Sequence, residues 1–356
     1  MNNGYITADP AAQGSDTYGN YVFDNAINVL GGTDNAITAN QISLRQYDGT
    51  PGNAGGKITV ADGAKLTISS LIKDPNAYFV PLVKQGAGTL TLSGDNTYTK
   101  GTNVSEGILQ LTGDAVKANS SVEIAQNATL EYNVASGEKA LDFTTSNTTV
   151  SGNGNVLKSG TGKLKIKADG EQFSADKFAV SAGELDFKGQ YNGDLNVQRG
   201  ATLSPGNSVG DLTVYGDVTI DAGATGLFEF SAYNEDPAQQ SYDTLTIGND
   251  GAFVIDENSI IKLFFEGNDA SLWAAEGAQY KLVSDEGFVA DITDMSDLLG
   301  NYTSLFGLEG RTDGLYLIGL GVGPTPEPGS GVPEPSTWAL LALGVLALLL
   351  RKRVRN

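Results

Sequence analysis

Neither histidine nor cysteine occurs anywhere in the 356 residues. Serine–histidine triads, histidine general bases, thiolate nucleophiles, disulfides and zinc–thiolate sites are therefore all excluded. Any catalysis must rest on carboxylates, Lys, Arg, Tyr or Ser. Glu235-Asp236, Asp256-Glu257 and the group Asp291, Asp294 and Asp297 are the acidic clusters from which a glycosidase pair could be drawn. In such a pair one carboxyl protonates the leaving oxygen while the other attacks or activates water. Basic partners are scarce: ahead of the C-terminal tail the only arginines are Arg45, Arg199 and Arg311. Most of the acids fall in expected turns, where carboxylates stay solvated, so no catalytic residue is assigned. The chain is read as a non-enzyme, with a carbohydrate-active enzyme (polysaccharide lyase or glycosidase) as the alternative. That alternative requires a concave groove with three or more clustered carboxylates beside Lys or Arg. Asn249-Asp250 and Asp256-Glu257-Asn258 offer oxygen ligands but match no defined Ca²⁺ loop, so no metal or cofactor is assigned. The Asn-x-Ser/Thr triplets at Asn103, Asn119, Asn127, Asn147 and Asn301 are given no role in so Asn/Thr-rich a chain.

The elements that carry these residues are short and repetitive. Gly accounts for 46 residues while aliphatic residues stay plentiful, which describes many turns between short strands. One eleven-residue frame, apolar-x-apolar-x-x-Gly/Asn-small-x-aliphatic-x-x, fits Ile58–Ile68, Val122–Tyr132, Leu195–Pro205 and Phe253–Leu263. A fifth copy, Val218–Phe228, slips by one at its end. Alternation on each side of the Gly or Asn predicts two strands with one face inward, and the Gly or Asn supplies the turn. A longer unit, Leu82–Gly113, has a degraded copy at Val156–Gly189. Gly86, Gly88, Leu90 and Leu92 match Gly160, Gly162, Leu164 and Ile166. After a two-residue insertion Val104, Gly107, Leu109 and Leu111 match Val180, Gly183, Leu185 and Phe187. Apolar positions persist while polar ones drift, as expected where only inward positions are constrained.

The first copy resembles the autotransporter-associated β-strand repeat, through the Gly-x-Gly-Thr-Leu-x-Leu run Gly86–Leu92, the Asn-Thr-Tyr turn Asn96–Tyr98 and the Gly-x-Leu strand Gly107–Leu109. Gly200–Val214 resembles the stretch that follows such repeats in secreted passengers. The resemblance covers roughly Leu82–Gly248 and implies a right-handed parallel β-helix. No outer-membrane barrel pattern follows the repeats, so self-transport is not expected. Beyond Gly248 the pattern loosens. Met295, Leu298, Leu299, Tyr302, Leu305 and Phe306 stand at helical spacing, which predicts a short amphipathic helix over the last coil, and Gly314–Leu320 reads as a closing strand.

The tail has three parts in order: the Pro/Gly spacer Gly323–Gly331, the segment Val332-Pro333-Glu334-Pro335-Ser336, and the apolar run Trp338–Leu350 followed by Arg351, Lys352, Arg353 and Arg355. Thirteen helical residues rise only about 20 Å against a hydrocarbon core of about 30 Å. Trp338 at one interface and snorkelling cations at the other extend the span, with the cations on the cytoplasmic side. This order resembles the PEP-CTERM sorting signal of Gram-negative bacteria. The resemblance implies export, insertion by the tail and cleavage near Pro333-Glu334-Pro335 by an exosortase. The opening residues MNNGYITADPAAQGSD contain no basic n-region and no apolar h-region, so the expectation is that the chain starts inside a longer gene product or that its start is misassigned.

The formal charge is −20, and without the tail's four cations it is 18 against 42, or −24. Such an exterior repels nucleic acid, which is not expected as a partner. The expected organisation is an N-terminal β segment over 1–50 continuing a longer solenoid, a β-helix over 51–265, a cap over 266–322, a linker over 323–331, and a sorting signal with a single transmembrane helix over 332–356. The expected protein is an exported, all-β surface or matrix component of a Gram-negative bacterium, structural or adhesin-like. Its partners would be the membrane, an exosortase, and an extracellular polysaccharide or neighbouring cell surface.

Overall fold

The computed structural model describes residues 5–6, 21–23, 26–44, 56–74, 80–231, 233, 241–248, 251–266, 270–286 and 296–321. Among these the chain is nearly all β, and strand pairs on strand in parallel from one coil to the next until the C-terminal end. Ile27–Val29, Asn35–Ile37 and Gln41–Leu44 lie beneath Lys57–Val60, Lys65–Ile68 and Leu71–Lys73, three strands per coil. Met1–Gly321 forms one compact unit and Val322–Asn356 a second, and the expected span 338–350 lies in the latter, outside the described residues. Among the described residues no helix is long and apolar enough to cross a membrane.

Period-2 alternation sends every second side chain inward. Coil-to-coil register then stacks like on like: Leu66, Leu90, Leu109, Leu130, Val156, Phe178, Leu195, Val218 and Phe253 form one continuous column. All nine are buried. Each contributes about 1.5–3 kcal/mol of burial, and none would be buried without the coils above and below it. The turns inside the eleven-residue frames are β-turns closed by Ala64 N–H to Ala61 O, Ala128 N–H to Ala125 O, Ala201 N–H to Gln198 O, Ala224 N–H to Asp221 O and Ser259 N–H to Asp256 O. The frame's small residue is therefore the fourth turn position, buried in all five copies.

The Asn-Thr-Tyr turn is a clasp between coils. Asn96 Oδ1 accepts Ile72 N–H at 2.9 Å from the coil before, and Asn96 O accepts Asn119 Nδ2 at 2.6 Å from the coil after. Each of the two long repeats spans two coils, but they sit on different faces. Leu82–Gln85 pairs with Lys57–Val60 and Thr102–Val104, whereas its counterpart Asn155–Ser159 pairs with Thr129–Asn133 and Ser174–Val180, the column that holds Thr89–Leu92. Between the copies the chain inserts the strand Glu138–Asp142 and the helical turn Phe143–Ser146, which rotates the second copy by one face. Asp142 Oδ1 caps that turn at Thr144 N–H (3.0 Å) and Thr145 N–H (3.3 Å), and Asn147 at φ 52° ends it.

At the C-terminal end parallel pairing gives way to antiparallel pairing. Gly314–Gly319 pairs with both Gln279–Ser284 and Phe306–Arg311. The helix expected from the spacing 295–306 is a 3₁₀ segment, Ser296–Tyr302, kinked at Gly300 (φ 52°), and Phe306 already opens a strand. Leu298 and Leu299 are buried, and the segment packs on the strand Ile260–Phe265. Trp273 fills the end of the core, with ring centroids 5.0 Å from Phe230, 5.4 Å from Tyr233 and 5.5 Å from Tyr280.

Candidate functional surface

The acidic residues serve mostly as acceptors at corners. Where the chain leaves one strand for the next, the first N–H groups of a coil lack a strand partner, and a carboxylate of a neighbouring coil takes them. Asp74 accepts from Thr99 N–H (3.1 Å), Glu106 from Gly86 N–H (2.9 Å), Asp194 from Asp217 N–H (3.0 Å), Asp217 from Ala252 N–H (2.9 Å) and Asp285 from Phe253 N–H (2.9 Å). Asp256, one of the candidate acids, does the same for Ala222 N–H at 3.0 Å and is exposed together with Glu257 and Asn258. Glu235, Asp236, Asn249, Asp250, Asp291, Asp294 and Arg45 lie outside the described residues, as does the side chain of Asp297. Among the described residues no three carboxylates stand together as a metal site.

Several of the cations are paired as well. Lys117 pairs with Asp95, Lys139 with Asp114 (3.3 Å), Lys165 with Glu138 (3.0 Å), Lys167 with Asp142 (3.8 Å) and Lys163 with Glu184 (2.6 Å), each across neighbouring coils. Exposed pairs of this kind contribute about 0–1 kcal/mol each. Arg311 binds both carboxylate oxygens of Glu309, donates to Gln279 Oε1 and lies 4.2 Å over the Tyr316 ring, which makes it a strut of the cap. Arg199 is an exposed turn residue lying along Gly223 of the next coil. The Asn-x-Ser/Thr residues have local duties: Asn119 holds Asn96, while Asn127 (φ 66°) and Asn147 (φ 52°) take left-handed turn positions.

Two buried lysines escaped the sequence reading. Lys84 points inward and is fully buried, its Nζ donating to Gln85 O (3.1 Å), Gly86 O (2.6 Å) and Glu106 O (2.9 Å). Lys158 repeats this with Ser159 O (2.9 Å), Gly160 O (2.7 Å) and Ala182 O (2.9 Å). Each ammonium satisfies carbonyls of its own corner and of the next coil's corner. The signal was present: the alignment that matches Gly86 with Gly160 also matches Lys84 with Lys158. Burial lowers both to about 8, against Glu106 raising Lys84. In the unfolded chain a lysine keeps its proton to about 10.4. Between pH 8 and 10 the unfolded chain therefore binds more protons, and stability rises with pH over that window. Urea unfolding at pH 7.5 and 9.5 is expected to show this rise in the wild type. A Lys84→Met, Lys158→Met variant should show a smaller rise, together with a loss of about 1–3 kcal/mol per site at pH 7.5 from the orphaned carbonyls. Equal pH slopes in the two proteins would contradict this role.

Among the described residues four carboxyls are buried as well, those of Glu131, Asp186, Asp243 and Asp285. Asp186 is pushed up to about 6 and Asp243 to about 8, in both cases chiefly by burial. Asp243 nonetheless accepts Gly210 N–H (2.9 Å) and Glu229 N–H (2.8 Å), so it ties the Gly206–Gly210 turn to the coil after it.

On the outer face of three consecutive coils lies a shallow furrow of about 380 Å³. Lys177, Asp194 and Asp217 form one of its rows, and Ala179, Asn196 and Thr219 the next, with Gln198 at the side. Two carboxylates and one lysine line it, fewer acids than the enzyme reading requires, and each carboxylate has one oxygen on a backbone N–H.

The segments Val332–Ser336, Trp338–Leu350 and Arg351, Lys352, Arg353 and Arg355 fall outside the described residues. In sequence comparison, residues 82–111 match the passenger-associated-transport-repeat family and residues 331–353 match the PEP-CTERM protein-sorting motif. Over 235 residues the chain is 28% identical to the adhesin BmaC autotransporter of Brucella suis biovar 1 (strain 1330), a match covering 61% of this chain and 6% of that protein. The chain thus spans a small fraction of the length of this curated relative. No solved structure matches it.

Proposed function

We propose that the protein is an exported surface or extracellular-matrix component, structural or adhesin-like, whose coils form a right-handed parallel β-helix presented outside the cell. The carrying observation is the joining, in one chain, of a passenger-type repeat folded as stacked coils and a sorting motif at 331–353. The similarity to an autotransporter adhesin supports the same reading. In this reading 1–50 continues the solenoid, 51–265 is the β-helix, 266–322 the cap, 323–331 a spacer and 332–356 the sorting signal with its single transmembrane helix.

The tail acts by partition and charge. Trp338–Leu350 gains from burial in lipid, while Arg351, Lys352, Arg353 and Arg355 resist translocation, so insertion runs one way with the folded coils outside. Pro333 and Pro335 keep the segment around Glu334 out of helix, the extended form that a processing enzyme binds as an added strand. In a host with an exosortase the mature protein is expected to lack the apolar run and RKRVRN. Changing Pro333, Glu334 and Pro335 to Ala should leave insertion intact and give a larger, membrane-retained product. Intact-mass measurement decides: a wild-type surface protein still ending at Asn356 would make the tail an ordinary anchor.

A further inference from the structure

We infer that the furrow lined by Lys177, Asp194, Asn196, Gln198, Asp217 and Thr219 is a binding site for a neutral polysaccharide lying along the coil axis. This rests on the surface reading above and names the ligand class of that surface. A sugar chain offers a rim of hydroxyls, each both donor and acceptor, around faces of C–H groups. The furrow has the complementary inventory. Asn196 and Gln198 carry amides that donate and accept, Thr219 a hydroxyl that does both, Lys177 a donor, and Asp194 and Asp217 each a second carboxylate oxygen beyond the one held by a backbone N–H. Ala179 leaves the furrow low and apolar on the first of its three coils, a surface against which a pyranose C–H face packs.

Spacing and charge select within the class. Equivalent side chains recur at the coil spacing of ~4.8 Å, close to the rise of one sugar in an extended chain, so neighbouring coils meet successive residues of the ligand. Asp194 and Asp217, on an exterior of −24, repel uronate and sulfate chains. The positions are also held rigid. Asp194 is fixed by Asp217 N–H, Asp217 by Ala252 N–H, and Asn196 Nδ2 by Asp221 Oδ1 at 2.9 Å, so little side-chain ordering remains to oppose binding.

The test uses the full chain in mild detergent, titrated calorimetrically with a β-glucan hexasaccharide and with a polygalacturonate oligosaccharide of the same length. The glucan is expected to bind, and the polygalacturonate at least tenfold more weakly. An Asn196→Ala, Gln198→Ala variant should weaken glucan binding by about tenfold, the equivalent of one or two lost hydrogen bonds. Ala179→Trp, which fills the furrow from an outward position, should abolish it at an unchanged melting temperature. Equal binding by these variants, tighter binding of polygalacturonate, or no glucan binding at all would each overturn the assignment. Release of reducing ends would replace a binding furrow with an active site. Export and tail processing are scored separately by intact mass, so a furrow that fails while the protein is still sorted to the surface leaves the surface reading standing.

Discussion

Replacing Leu90 with aspartate is expected to abolish the folded state under conditions where the wild type is native. Leu90 is 0% exposed and sits between Leu66 of the coil before and Leu109 of the coil after. The column offers aliphatic carbon above and below and no partner for a charge, so the carboxyl must either ionise unpaired or take up a proton at high cost. The loss is on the order of 5 kcal/mol or more, comparable with the whole stability of an ordinary domain. Leu90→Met keeps volume and hydrophobicity and should cost less than about 1.5 kcal/mol. Urea midpoints of the two variants give the comparison, and an unchanged midpoint for Leu90→Asp would mean that Leu90 does not face the column. The damage should also spread beyond its own coil, since each coil is buried only by its neighbours.

The second large effect separates two reasons for glycine. Gly63 and Gly107 have nearly the same left-handed conformation, φ 69° and 66°. A Cβ at Gly63 would meet nothing within 4 Å, whereas one at Gly107 would lie 2.5 Å from Gly86 O and 2.6 Å from Gly88 O. Gly63→Ala should therefore cost only the backbone term, about 1–2 kcal/mol. Gly107→Ala carries the same term and must in addition push two coils apart, for a total of about 4 kcal/mol or more. Gly183, its counterpart in the second repeat, faces Gly162 O at 2.4 Å and Gly160 O at 2.6 Å, and should behave as Gly107 does. Thermal unfolding of the three alanine variants checks the ranking. Equal costs for Gly63 and Gly107 would show that close coil-to-coil approach is not what the Gly-x-Gly corner is for.

Local patterns in the chain already carried the strands, the turns and the inward positions. Alternation around Gly63, Asn127, Gly200 and Gly223 marks two short strands and the turn between them, because both depend only on residues a few places apart. The order spacer, Pro-Glu-Pro, apolar run and cations was legible for the same reason, as each part is a composition rather than a fold. Neighbours across coils were not. Phe178 stacks on Leu195, but Val218 stacks on Phe253, twice as far along the chain, so no fixed period shows which residues meet. Insertions such as Glu138–Ser146 change that offset, and so the second long repeat came to rest one face away from the first. The burial of the lysines at 84 and 158 is not set by their local sequence, because the carbonyls that accept them are made available only by a corner folded back on itself and a second corner stacked beside it. The furrow has the same origin. Lys177, Asp194 and Asp217 are remote in sequence and become one row only when three coils lie in register, since lateral hydrogen bonding between parallel strands, and not chain proximity, sets their spacing.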